Sequence, residues 1–118
     1  MPGTRLIFDK QLQQIQDEML ELASMVDKAI DASIQSLRHR DRKQAEQIVA
    51  ADLQVNQKRY VIEENCLSLM ATQQPMAGDL RLIIAVLLIG TELERMGDHA
   101  EGIAKITLML ADEPLLKP

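Results

Sequence analysis

Apolar residues recur at steps of three and four along almost the whole chain. Between residues 8 and 38 the recurring set is Leu12, Ile15, Met19, Leu22, Val26, Ala29 and Ser33. That spacing holds one face of an α-helix and predicts a bundle seam. "RHRD" interrupts it, and Asp41, three residues before Gln44, is placed to cap a second helix over residues 42–71. The second stripe is Ala45, Ile48, Asp52, Val55, Arg59, Ile62, Cys66 and Leu69. Two of its members are charged, and burying a charge is costly without a partner. Asp52 and Arg59 are therefore expected to be paired or to lie at the rim.

"TQQPMAGD" is the second break. Pro75 suits the first turn of a helix, and Asp79 suits its positive end. The third helix is predicted over residues 76–111, with a seam of Leu82, Val86, Ile89, Leu93, Met96, Ala100, Ile103, Thr107 and Leu110. The tail, residues 112–118, ends it, because Pro114 cannot continue a helix. No strand alternation and no internal repeat is visible. Short connections make neighbouring helices antiparallel. The expected fold is all-α, an up-down-up three-helix bundle in one domain, with helices of about 45 Å at about 1.5 Å per residue.

From Leu80 to Ile89 the third helix is apolar nearly all round. Leu80, Ile83, Ile84 and Leu87 are read as facing away from the seam. Two neighbouring helices cannot cover such a surface, so these four residues are the expected partner interface.

Composition narrows the function. Phe8 and Tyr60 are the only aromatic residues, so the core must be Leu, Ile, Val, Met and Ala. The net charge of −5 argues against nucleic acid, which needs a basic surface to neutralise phosphates. Cys66 has no second cysteine to pair with and fits a reducing compartment. The longest apolar run, Leu82 to Ile89, is far short of the roughly 20 residues that span a membrane. A cytoplasmic protein is expected.

The chemistry concentrates in "ELERMGDHAEGIAK", residues 92–105. Glu94 and Asp98 are four apart on one helix face, and Glu101 extends that face by a turn. If the second turn centres near Gln74, Asp52 comes level with Met96, between the two acids, and Asn56 comes level with Glu92. Converging carboxylates repel one another, and a hard cation such as Mg²⁺, Mn²⁺, Ca²⁺ or Fe³⁺ would relieve the repulsion. The alternative is a solvated face neutralised by Arg59, Arg95 or Lys105. Asp27 and Asp31 form a similar pair, read as exposed surface, and His39 and His99 are read as bystanders.

"QQPMAGDLRLI" followed by "ELERMGDHAEGIAK", with "DLQVN", "IEENCLSLMATQQP" and "FDKQLQQIQDEMLEL", closely resembles the PhoU family of accessory regulators of bacterial phosphate uptake. The resemblance implies half of a six-helix protein built from two tandem bundles, with the tail as the linker between them. A homodimer could substitute for the absent half. It implies a non-enzymatic negative regulator of phosphate uptake and of phosphate-starvation signalling, working through a phosphate ABC transporter ATPase and a sensor histidine kinase. It also implies paired acidic motifs on the second and third helices holding a multinuclear metal cluster, iron first and other hard divalent cations after it. Glu94 and Asp98 match one motif. Asp52 and Asn56 match the other, with Asn in place of its second acid. Nothing resembles an anion cradle, so phosphate sensing is expected to be indirect.

Three rival readings differ in their requirements. A metal-dependent helical hydrolase of the nucleotide pyrophosphohydrolase kind would use Glu18 and Glu21, but no ExxD partner follows. A ferritin-like site needs Glu three residues before His, where this chain has Ser36 and Met96. A purely structural helical dimerisation module would leave every carboxylate solvated.

Overall fold

The computed structural model describes residues 2–113. Three helices follow one another: α1 (Pro2–His39), α2 (Arg42–Gln73) and α3 (Ala77–Ala111). They pack side by side into a rod of 71 × 19 × 17 Å. No helix among the described residues is long and apolar enough to cross a membrane. The part of the predicted tail from residue 114 lies outside the described residues.

Each turn is shaped by local chemistry. Arg40 takes a left-handed φ of 51°, and Asp41 accepts a hydrogen bond from the Gln44 amide at 3.0 Å, which starts α2. Gln74, also left-handed, ends α2 by donating its amide to the Met70 carbonyl. Pro75 precedes the cap residue Met76 instead of entering the first turn, and Asp79 does lie in that turn.

Both ends of α3 are tied to the rest of the bundle. At one end Arg5 donates to Asp79 at 2.6 Å and lies over the Phe8 ring. At the other, the Arg40 guanidinium donates to the Glu113 carbonyl at 3.2 Å, and Arg42 pairs with Asp112. The Arg5 contacts show why α1 begins at Pro2 and not near Phe8. Proline is tolerated in a first turn, and the tie to α3 holds that turn in place.

The core is aliphatic apart from Phe8. Phe8, Leu12, Ile15, Leu22 and Val26 of α1 meet Val55, Ile62, Cys66 and Leu69 of α2 and Ile83 and Val86 of α3. Burial pushes the Cys66 thiol up to about 11, so it packs as a small hydrophobe. Toward the α1–α2 turn the side chains shrink to Ala45, Ile48 and Ala104. There Ser36 Oγ and Thr107 Oγ1 lie 3.2 Å apart, fully buried.

The α2 stripe is inside as predicted, with Arg59 half-buried at its edge. The α3 seam is shifted. Val86, Ala100 and Thr107 are buried, but the other buried column is Ile83, Gly90, Gly97 and Ala104. Leu82, Ile89 and Met96, expected inside, are 37%, 46% and 44% exposed. The expected interface is corrected accordingly. Ile83 is a core residue with no exposed surface, Leu80 and Leu87 are half-buried, and of the four only Ile84 is exposed. Glycine supplies no apolar side chain to a periodicity count, so the Ile-Gly-Gly-Ala column is easily passed over for the greasier one beside it.

Candidate functional site

Asp52 occupies a core position of α2 and is 7% exposed. It can sit there because the residue across from it on α3 is Gly97. A Cβ at Gly97 would lie 3.6 Å from Asp52 Oδ1, 3.2 Å from Val55 Cγ1 and 3.8 Å from Val26 Cγ2. The missing side chain is the space in which the carboxylate and the two valines meet. Gly97 thus replaces Met96 as the residue level with Asp52, one position on from the predicted register. Arg59, which donates to Thr91 Oγ1 at 3.4 Å, fixes the same register one stage further along. Asn56 then comes level with Leu93 and Glu94 instead of Glu92.

Three acids meet electrostatically at this level. The Asp52 carboxyl is held above its usual range, first by burial, then by the charges of Glu101 and Asp98 and by a hydrogen bond with Glu101. Asn56 acts in the opposite sense, donating from Nδ2 to Asp52 Oδ2 at 3.4 Å. The other amide atom, Asn56 Oδ1, is buried and has no hydrogen-bond partner among the described residues. An orphaned buried oxygen beside a buried carboxylate is the kind of donor set a hard cation satisfies. Among the described residues, no three His, Cys, Asp or Glu side chains are gathered closely enough to hold a metal ion. The acids therefore influence one another across the α2–α3 groove without closing to ligand geometry.

The cations near enough in sequence to neutralise this face mostly go elsewhere. Arg59 pairs with Glu63 at 2.8 Å, and Arg95 pairs with Glu92 at 3.3 Å. Among the described residues only Lys105 serves the cluster, reaching Glu101 at 3.3 Å. Among the described residues, Asp52, Glu94 and Asp98 make no ion pair within 4.0 Å. Of the four predicted ligands, the structure brings Asp52 and Asp98 to one level, with Asn56 one turn along α2 and donating back to Asp52. Glu94 is half-buried one turn away, in the row that continues through Glu101. Glu101, one turn beyond Asp98, lies outside the predicted ligand set, and Gly97 has no predicted role. A glycine in a helix interior costs about 1 kcal/mol relative to Ala, and that cost is the signal that could have singled Gly97 out.

The rival acidic pair serves α1–α2 packing. Glu18 accepts from Asn65 Nδ2 at 3.2 Å, and Glu21 pairs with Lys58 at 2.8 Å. A groove of about 320 Å³ between α1 and α2 reaches Asp52 and Gly97 past Met25, Ala29 and Ile48.

Comparison with known proteins places this geometry. The family model of the PhoU domain matches residues 19–107. A phosphate-specific transport system accessory protein PhoU homolog from Aquifex aeolicus is 38% identical over 109 residues, covering 92% of this chain and 49% of that protein. One from Clostridium acetobutylicum is 39% identical over 111 residues, covering 93% and 51%. The crystal structure of PhoU from Pseudomonas aeruginosa superposes with a TM-score of 0.87 at 33% identity, covering 90% of this chain and 51% of that one. The phosphate transport system regulatory protein PhoU from Streptococcus pneumoniae gives 0.83 at 35% identity. The chain spans about half the length of the curated relatives it matches. With the match running through all three helices and through both the Asp52 and the Asp98 segments, this chain belongs to the PhoU domain family.

Proposed function

We propose that the chain is a non-enzymatic regulator of phosphate homeostasis. In this reading it is cytoplasmic and homodimeric, and it restrains phosphate uptake and starvation signalling. It acts through contact with a phosphate ABC transporter ATPase and a sensor histidine kinase. The observation that carries the reading is the match over more than nine-tenths of this chain to accessory proteins of phosphate-specific transport. Co-purification of the chain with each partner tests it. Capture of either supports the regulator, and capture of neither in a phosphate-replete cell overturns it.

The same reading gives the acidic face a hard cation, iron before other hard divalent ions. Asp52, Asn56, Glu94 and Asp98 would hold it, with Glu101 beside them. The bound ion would supply positive charge between α2 and α3 and so brace the two helices. The un-neutralised Asp52 and the orphaned Asn56 Oδ1 support this assignment. Its test is the metal-to-protein ratio of freshly purified chain beside Glu94→Ala/Asp98→Ala. Metal that is present in the first and lost in the second is the expected result. Equal content in both would overturn the site.

A further inference from the structure

The groove between α1 and α2 leads from solvent to a buried charge. Ala29 and Ala32 of α1 face Ile48, Ala51 and Val55 of α2 across it. The alanines open it, because their methyl groups stand where packed helices ordinarily interdigitate longer side chains. Gln44, Gln47 and Gln54 make the rim polar. The floor is Gly97 of α3 together with Asp52, which is 7% exposed. Asp52 Oδ1 lies 3.6 Å from where a Gly97 Cβ would stand, so the carboxylate is at the deep end.

We infer that this groove is a binding site for a small primary ammonium ion with a slender apolar body. Charge sets the class of ligand. The charges that reach Asp52 are those of Glu101 and Asp98, both acidic. Among the described residues no cation stands within 4.0 Å of it. An ammonium ion brings the missing charge and three N–H donors. A carboxylate or phosphate ligand would add to the repulsion, and an uncharged one would leave it in place. A single positive charge fits best. Asp52 is the one acid in the lining and Lys28, exposed at the mouth, the one base, so a second positive charge would meet Lys28.

Shape sets the body. Gln44 to Val55 spans about 16 Å of α2, and about 320 Å³ drawn out along it is a slot at the small end of ligand pockets. An unbranched chain fits such a slot better than a ring. The groove reaches Asp52 from the α1 side, whereas Glu94, Asp98 and Glu101 approach it from α3. The site therefore does not rest on the metal reading. An ammonium ion in the groove and a metal on the acidic face would compete for one carboxylate.

The test is isothermal titration calorimetry of the purified chain in chelator at pH 7, with n-hexylammonium as the probe and helicity followed by circular dichroism. Saturable binding of one ion per chain is expected. Hexanol and hexanoate, which have the same body without the positive charge, should bind ~10-fold more weakly or worse. Asp52→Asn should weaken hexylammonium by a similar factor. Ala51→Leu, at an exposed position on the wall, fills the slot without touching a charge and should weaken it too. Glu94→Ala/Asp98→Ala should leave the binding in place. Hexanol binding as tightly as hexylammonium overturns the inference, because the groove would then be apolar only. So does the absence of saturable binding. Binding that survives Ala51→Leu but is lost in Glu94→Ala/Asp98→Ala would put the ion on the acidic face and overturns it as well. Each of these results leaves the metal reading to its own test by metal content.

Discussion

On the α2 side of α3 the residues flanking the core column change from apolar at Ile84 and Leu87 to polar at Thr91, and at Glu94 and Asp98 they are acidic, with no ion pair among the described residues. On the α1 side they are Leu82, Ile89 and Met96. Both flanks hang on the same Ile-Gly-Gly-Ala column, so the packing that makes the rod is common to them. The difference lies in what each leaves unfinished. The polar flank has a carboxylate and an amide oxygen buried without sufficient partners. The apolar flank has half-exposed side chains that carry no charge and donate no hydrogen bond. Unsatisfied oxygens call for a cation and bare methyl groups do not, so the ion chemistry of this helix is confined to one flank.

The column itself is where the comparison breaks most completely. Gly97→Leu would drive a branched side chain into Val55, Val26 and Asp52, and overpacking of this kind costs about 3 kcal/mol. Chemical denaturation should show the loss, and both flanks should fail together.

A cation separates the flanks. At a metal concentration 100 times its dissociation constant, the folded state should gain about 2.7 kcal/mol, read as a shift in the denaturation midpoint. Glu94→Ala/Asp98→Ala should abolish the gain. Met96→Glu should not, because it changes only the apolar flank.

Gly90 gives a smaller contrast within the column. A Cβ there would have nothing within 4 Å, so Gly90→Ala should stabilise the chain by about 0.5–1 kcal/mol through backbone entropy alone. A loss of stability by the same denaturation assay would mean that the helices approach more closely at Gly90 than they do here.

The finest distinction is one of pH. The folded state holds the Asp52 proton more tightly than the unfolded chain does, so ionised Asp52 lowers stability at neutral pH when no metal is bound. That penalty is relieved as pH falls through its raised value toward the ordinary 3.8. In chelator, Asp52→Asn should therefore be more stable than wild type at pH 7, and the gap should narrow on acidification. A gap of constant size would show that Asp52 ionises in the fold as it does in the unfolded chain.

How legible these features were in the sequence depended on side-chain size. The α2 stripe could be read in full, because every inward position except Asp52 and Arg59 carries an apolar side chain. The N-cap at Asp41 was equally plain, since its chemistry is local. In α3 the larger apolar residues stand beside the core column, so the predicted seam mixed inward Val86 and Ala100 with outward Leu82, Ile89 and Met96. The same shift cost one residue of register at Asp52 and placed Ile83 on the surface. Glu101 was visible as an acid, but its hold on Asp52 depends on how closely two helices approach, and spacing within one helix cannot show that.

The buried hydroxyls near the α1–α2 turn have a consequence for motion. Ser33, Ser36 and Thr107 each bond a carbonyl of their own helix, at 2.7, 2.8 and 3.2 Å. When α1 and α3 part at this end, those bonds stay made. The side chains released are mostly alanine-sized, and the exposed arginine ties resist only weakly. At the opposite end, parting would expose Phe8, Leu12, Ile83 and Val86 to water. The rod is therefore a hinged clasp that opens from the α1–α2 turn, and amide hydrogen exchange should run fastest there and slow steadily toward Ile83.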